Sequence, residues 1–257
     1  MSAKKSWLTG GILATVGALV VCGAAGWFFL RGSTEVSKKS ETQSYSQSAN
    51  RIELDLFSGD ITISSGTDGE VGVDRDLQWK NEKPTYKEEW SGSTLRITSK
   101  CPGDPENCET NYTLKVPAGV TVNAKTGAGN VTVRGLSGDV AIDTGSGDIT
   151  LDGLSGGKVG VKSGAGPVKG TSLKNGEIDI DTGSGTVELT YGTAPSVVKV
   201  KTGSDAIRVS LPKGDEGYNV KTSTQSGKQD VTVKVDSTSN RAITATTGSG
   251  DVTVKYS

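Results

Sequence analysis

Histidine is absent from the 257 residues. That removes the side chain most often used as a general base near neutral pH, and the commonest metal ligand. Aromatic residues make up only 5% of the chain, and charge is almost balanced at −1. Such a balance points away from electrostatic binding of nucleic acid. No Gly-x-x-x-x-Gly-Lys-Ser/Thr phrase occurs, so the many glycines do not form a phosphate loop of that kind. What the chain does have is 36 glycines set among Val, Thr, Ser and Asp. That composition suits many short strands joined by tight turns.

Trp7 to Leu30 contains no charged side chain, with Lys4 and Lys5 before it and Arg31 after it. The run is about as long as a hydrocarbon core is thick when coiled as a helix. It predicts an uncleaved, single-pass transmembrane helix over residues 7–30, with residues 1–6 as a short cytoplasmic tail. Cleavage after Ala25 and lipidation at Cys22 are the weaker alternatives, because apolar residues continue through Leu30 and the residue before Cys22 is a valine. Residues 31–49 are rich in Ser, Thr, Gln, Lys and Glu and read as a flexible polar linker.

Cys101 and Cys108 bracket a segment with two prolines and a glycine, a loop whose ends can meet. A disulfide between them is expected, since a metal site would need further Cys or His ligands that the chain lacks. It fits an oxidising exterior. The predicted orientation is therefore amino terminus inside and the large domain outside the plasma membrane.

From Val120 onward one phrase recurs. Val122-Asn-Ala-Lys-Thr-Gly-Ala-Gly-Asn-Val131 returns as Val140-Ala-Ile-Asp-Thr-Gly-Ser-Gly-Asp-Ile149, and again from Val159, Ile178, Val198 and Ile243, with a degenerate copy near Val220. The Thr or Ser before the turn glycine falls at Thr126, Thr144, Ser163, Thr182, Thr202, Thr222 and Thr247. This period of about 19 residues marks a repeat architecture. Each unit holds two short strands of alternating polarity around a Gly-Ser/Ala-Gly turn. One unit buries about five medium side chains, too few to offset the ordering of its residues, so units must stack. The predicted fold is all-β: a single-stranded, right-handed parallel β-helix, or β-solenoid, spanning residues 50–257. Residues 118–257 are expected to be regular, and residues 50–117 less so. The outward residue before each turn reads Lys125, Asp143, Lys162, Asp181, Lys201, Lys221. Stacked in register, the first five alternate in sign and would pair along the ladder.

Two motifs mimic chemistry. Asp143-Thr-Gly and Asp181-Thr-Gly spell the aspartic-protease phrase, but two coils would separate the carboxylates by about 10 Å. Gly127-Ala-Gly-Asn-Val resembles a calcium-binding repeat, yet the acidic ligand place holds Val131, and its equivalents are Ile149, Val168, Val187 and Val252. No catalytic, cofactor or metal residues are assigned. Trp79 and Trp90 are expected to cover the open end of the stack. The other end stops directly after a strand at Tyr256, an uncovered edge that invites end-to-end pairing.

The order Trp79, the Cys101–Cys108 loop, Tyr112-Thr-Leu-Lys-Val-Pro-Ala-Gly119 and the Thr-Gly-Ser-Gly-Asp repeats resembles a bacterial family of unknown function. Its members are described as "putative adhesins", and its membrane-anchored actinobacterial members look most similar. The resemblance implies a β-helix without catalytic residues. The expected function is non-catalytic binding at the cell surface, to cell-wall polymer or a surface protein. An envelope-stress signalling accessory and, more remotely, a polysaccharide-active β-helix enzyme are the alternatives.

Overall fold

A computed structural model describes residues 35–103 and 107–257. The helix expected at 7–30 and the tail at 1–6 lie outside the described residues. No described helix is long and apolar enough to cross a membrane.

Strand β1 (Ser37–Tyr45) precedes a first coil made of β2 (Arg51–Leu56) and β3 (Ile61–Ser65). An excursion follows through β4 (Val71–Trp79) and β5 (Thr85–Ser91), then a coil of β6 (Thr94–Lys100) and β7 (Glu109–Val116). The regular coils are β8 (Thr121–Thr126) with β9 (Val131–Arg134), β10 (Val140–Ser146) with β11 (Ile149–Asp152), and β12 (Lys158–Ala165) with β13 (Val168–Leu173). They continue as β14 (Glu177–Ser184) with β15 (Val187–Tyr191), and β16 (Val197–Ser204) with β17 (Ile207–Leu211). The last two coils are β18 (Asn219–Ser226) with β19 (Gln229–Val231), and β20 (Ala242–Ser249) with β21 (Val252–Tyr256).

Each coil gives one strand to each of two sheets. The eleven-stranded sheet runs β1-β4-β7-β3-β9-β11-β13-β15-β17-β21-β19, and the ten-stranded sheet runs β18-β20-β16-β14-β12-β10-β8-β2-β6-β5. Pairing is parallel and in register from coil to coil, so Val122, Val140, Val159, Ile178 and Val198 form one column. Val131, Ile149, Val168, Val187 and Ile207 form the facing column. All ten are at most 2% exposed. Period-2 alternation thus becomes a continuous core between two sheets, which no single coil could make.

The turn phrase has a local cause. Thr144 is buried, and its hydroxyl donates to the Ser146 carbonyl two residues on, at 3.0 Å. Thr126, Ser163, Thr182, Thr202 and Thr247 make the same bond. The Ser146 carbonyl also accepts the Gly129 N–H of the neighbouring coil at 3.0 Å, so the hydroxyl adds a second bond that ties the corner to its own strand. Gly147, with φ of +129°, then lets successive coils touch: a Cβ there would lie 2.2 Å from the Gly129 carbonyl oxygen.

Four expectations need correction. First, residues 37–45 of the supposed linker form β1, antiparallel to β4. Backbone pairing to an open strand edge does not require an apolar sequence, and Glu41 and Tyr45 turn inward to make specific bonds. Second, coils do not stack purely in chain order, and β4 pairs antiparallel with β7 and β5 with β6. The first coil lies between the β6/β7 and β8/β9 coils. Third, β21 is not an edge. It lies between β17 and β19, so the C-terminal strand is covered and β18/β19 form the outer coil. Fourth, Thr222 is not the turn residue of the degenerate copy. Thr224 aligns with Thr247, two residues later, and Lys221 aligns with Thr244 rather than with the ladder charges.

The other end is closed by a buried ionic cluster. Arg75 of β4 donates from Nε to Glu41 of β1 (2.8 Å) and from Nη1 to Glu88 of β5. The Tyr86 hydroxyl donates to Glu41 and the Tyr45 hydroxyl to Glu88. The guanidinium lies 4.3 Å from the Tyr86 ring centroid. Trp90 packs against the core and meets Tyr45 edge-on, with centroids 5.4 Å apart. Trp79 is half-buried, with the Lys83 ammonium 5.8 Å from its ring. Trp90 therefore shares the end cover with charged and phenolic groups that alternation alone did not reveal.

Candidate binding face

Two columns of side chains on the outward side of the ten-stranded sheet border a groove. The column nearer the turns runs Asp55, Lys125, Asp143, Lys162, Asp181, Lys201 along β2 to β16, all exposed. The neighbouring column, two residues earlier on each strand, runs Glu53, Asn123, Ala141, Gly160, Asp179, Lys199. In its middle Ala141 and Gly160 leave a trough. A groove of about 720 Å³ lies there, between Asn123, Ala141 and Gly160 on one side and Lys125, Asp143 and Lys162 on the other.

Gly160 is unusual among the glycines of the coils. Its φ is not in the left-handed region, and a Cβ built on it would meet nothing within 4 Å. Neither turn geometry nor coil contact requires glycine there. Its effect is to keep the floor low, so that another molecule's surface can come close to the sheet.

Adjacent ladder residues alternate in sign, as the repeats indicated. They do not close the expected ion pairs, however: among the described residues none of Lys125, Asp143, Lys162, Asp181 and Lys201 has an ion pair within 4.0 Å. Pairs that do form on this face lie outside that row, at Arg96–Glu53 (2.7 Å) and Lys158–Glu177 (3.1 Å). Solvated ammonium and carboxylate groups gain little from each other across an exposed rung. Their charges therefore stay open to a partner.

The motif residues take plain places. Asp143 and Asp181 both face solvent with Lys162 between them. Both border the groove, but they stand two rungs apart, about 10 Å, so they cannot share a proton. Val131, Ile149, Val168, Val187 and Val252 are buried in the core. Among the described residues no three His, Cys, Asp or Glu side chains come together as metal ligands. Cys101 and Cys108 are joined as a disulfide, with Cα atoms 5.9 Å apart. The trough was missed in the sequence reading because it depends on which outward position faces which neighbour. The run Asn123, Ala141, Gly160 at one repeat position was its only trace.

These features define a class: an all-β, two-sheet solenoid with one open, charge-alternating face. Residues 49–257 match the Toastrack DUF4097 family, and the chain belongs to it. Among solved structures, one described as a putative cell adhesion protein from Clostridium sporogenes is 16% identical. The match covers 86% of this chain and 100% of that one, with a TM-score of 0.41. A putative adhesin from Bacteroides fragilis is 13% identical over 86% and 98% of the two chains, TM-score 0.45. A putative lipid binding protein from Parabacteroides distasonis is 13% identical over 85% and 96%, TM-score 0.27. No curated protein matches the chain. The family match begins at residue 49, so β1 lies outside it.

Proposed function

We propose that this chain is a non-catalytic binding module of the cell surface. Residues 7–30 anchor it in the plasma membrane as a single pass, with the amino terminus cytoplasmic and the solenoid outside, as in the membrane-anchored actinobacterial proteins its repeat phrase resembles. The Cys101–Cys108 disulfide supports that side of the membrane. The open face of the ten-stranded sheet contacts a macromolecule of the envelope, either cell-wall polymer or a protein. The observation that carries this reading is the trough at Ala141 and Gly160 flanked by charges that have no ion pair of their own.

Gly160→Trp tests it. The substitution puts an indole into the trough, and its Cβ has open space around it. Full-length wild type and variant would be cross-linked in intact cells, and the captured envelope material quantified. Recovery should fall at least fivefold while circular dichroism and the thermal midpoint stay unchanged. Equal recovery from both would refute the assignment of this face.

A further inference from the structure

We propose that the occupant of the open face is a second copy of this chain, docked about a two-fold axis that runs parallel to the strands between β10 and β12. This inference rests on the assignment of that face as the binding surface.

The argument is one of charge order. The ladder Asp55, Lys125, Asp143, Lys162, Asp181, Lys201 has six members and alternates. A row of even length that alternates is complementary to itself when reversed. Reversal sets Asp143 against Lys162 of the second copy, Lys125 against Asp181, and Asp55 against Lys201. The second column obeys the same operation. Ala141 meets Gly160, so the two troughs face each other and the sheets can approach. Asn123 meets Asp179, an amide against a carboxylate. Glu53, which Arg96 already bonds, meets Lys199.

The axis also has a structural address. Sheet order places five strands on each side of the β10–β12 boundary, so it bisects the ten-stranded sheet. The outer rungs follow suit: Glu89 of β5 falls opposite Lys221 of β18, and Arg96 of β6 opposite Thr244 of β20. No rung in either column sets like charge against like. The other in-plane two-fold, along the stack, fails this check. It exchanges the columns within each rung and puts Asp181 of one copy on Asp179 of the other.

Size is adequate for a weak dimer. Six rungs at about 4.8 Å span about 24 Å. With side chains the face measures about 30 by 20 Å, or about 1,200 Å² buried over both copies, near the lower end for specific complexes. Affinity in the micromolar range is expected, and confinement to one membrane would raise the bound fraction. Isologous contacts of this kind need each patch to complement itself, which this face does.

Charge reversal separates contact between copies from pairing within a chain. The full-length chain in detergent would be studied by sedimentation equilibrium. Asp143→Lys and Lys162→Asp alone should each weaken association at least tenfold, because each sets two like pairs across the axis. The double variant D143K/K162D restores every facing pair, although it puts like charges side by side within each copy. It should return the dissociation constant to within threefold of wild type. Failure of the double variant to recover would overturn the two-fold arrangement. Wild type that stays monomeric at 100 µM, while Gly160→Trp still abolishes capture of envelope material, would overturn self-association and leave the binding face assigned to another partner.

Discussion

Replacing Arg75 by methionine is the sharpest test of how the solenoid is closed. The Arg75 side chain is 10% exposed, that of Glu88 6% and that of Glu41 18%. The guanidinium bonds two carboxylates contributed by strands of different sheets, and Lys39 adds a second cation at Glu41 only. Methionine keeps the volume and removes the charge, so two buried carboxylates remain with only phenolic donors and Lys39 near them. Removing one partner of a buried ion pair costs about 3–5 kcal/mol, because the survivors stay desolvated. Solenoid ends can open without the middle, so the loss should fall first on β1 and β5. Amide hydrogen exchange resolved by segment measures it: protection of β1 should drop about a hundredfold or more while β12 to β16 keep theirs. The same region should be sensitive to acid. Burial alone would push the Glu41 carboxyl up, but hydrogen bonds from Lys39, Tyr86 and Arg75 outweigh it and hold it at about 2, against an ordinary 4.5. A carboxylate whose value falls on folding contributes fully above its unfolded value and loses that contribution as pH drops toward the folded one. Protection of β1 should therefore decline between pH 4.5 and 2, and Glu41→Gln should flatten the decline. Wild-type protection of β1 in Arg75→Met, at neutral pH, would refute the buried-pair account.

Other substitutions probe the coils. Gly147→Ala should cost about 3 kcal/mol or more in chemical denaturation, since it combines a left-handed φ with a Cβ 2.2 Å from a backbone oxygen. Gly160→Ala should be neutral or stabilise by up to about 1 kcal/mol, because neither constraint applies there. Thr144→Val should lose about 1 kcal/mol, the value of one buried hydroxyl bond to the Ser146 carbonyl, as read from the urea midpoint. Removing the Cys101–Cys108 disulfide by a double alanine substitution should lower stability by about 2–2.5 kcal/mol, the loop-closure value for so short a loop. A reducing agent should lower the thermal midpoint of wild type and leave that variant unchanged.

Much of the fold was legible in the chain. Period-2 alternation fixed which residues face inward, because strand side chains must alternate. The near-constant interval between turn threonines fixed the register of β8 to β17, because each turn needs the same hydroxyl bond and the same glycine contact. The cysteine pair was legible from a loop of two prolines and a glycine. Alternation in sign along Lys125 to Lys201 was legible too.

The remaining features were decided in three dimensions. Local composition could not show that β1 adds to the edge of β4, because the partners that satisfy its backbone are 26 to 42 residues away. Nor could it show that the last coil inserts before β18 and β19, since nearest-neighbour coils share one hydrophobic pattern and compete for the same place. The buried Arg75, Glu41 and Glu88 look like ordinary surface charges until strands from two sheets bring them together. Period and turn chemistry are local and repeat, so they can be read along a line. Stacking order, end closure and the shape of the open face depend on contacts between distant segments, and only the folded chain brings those into being.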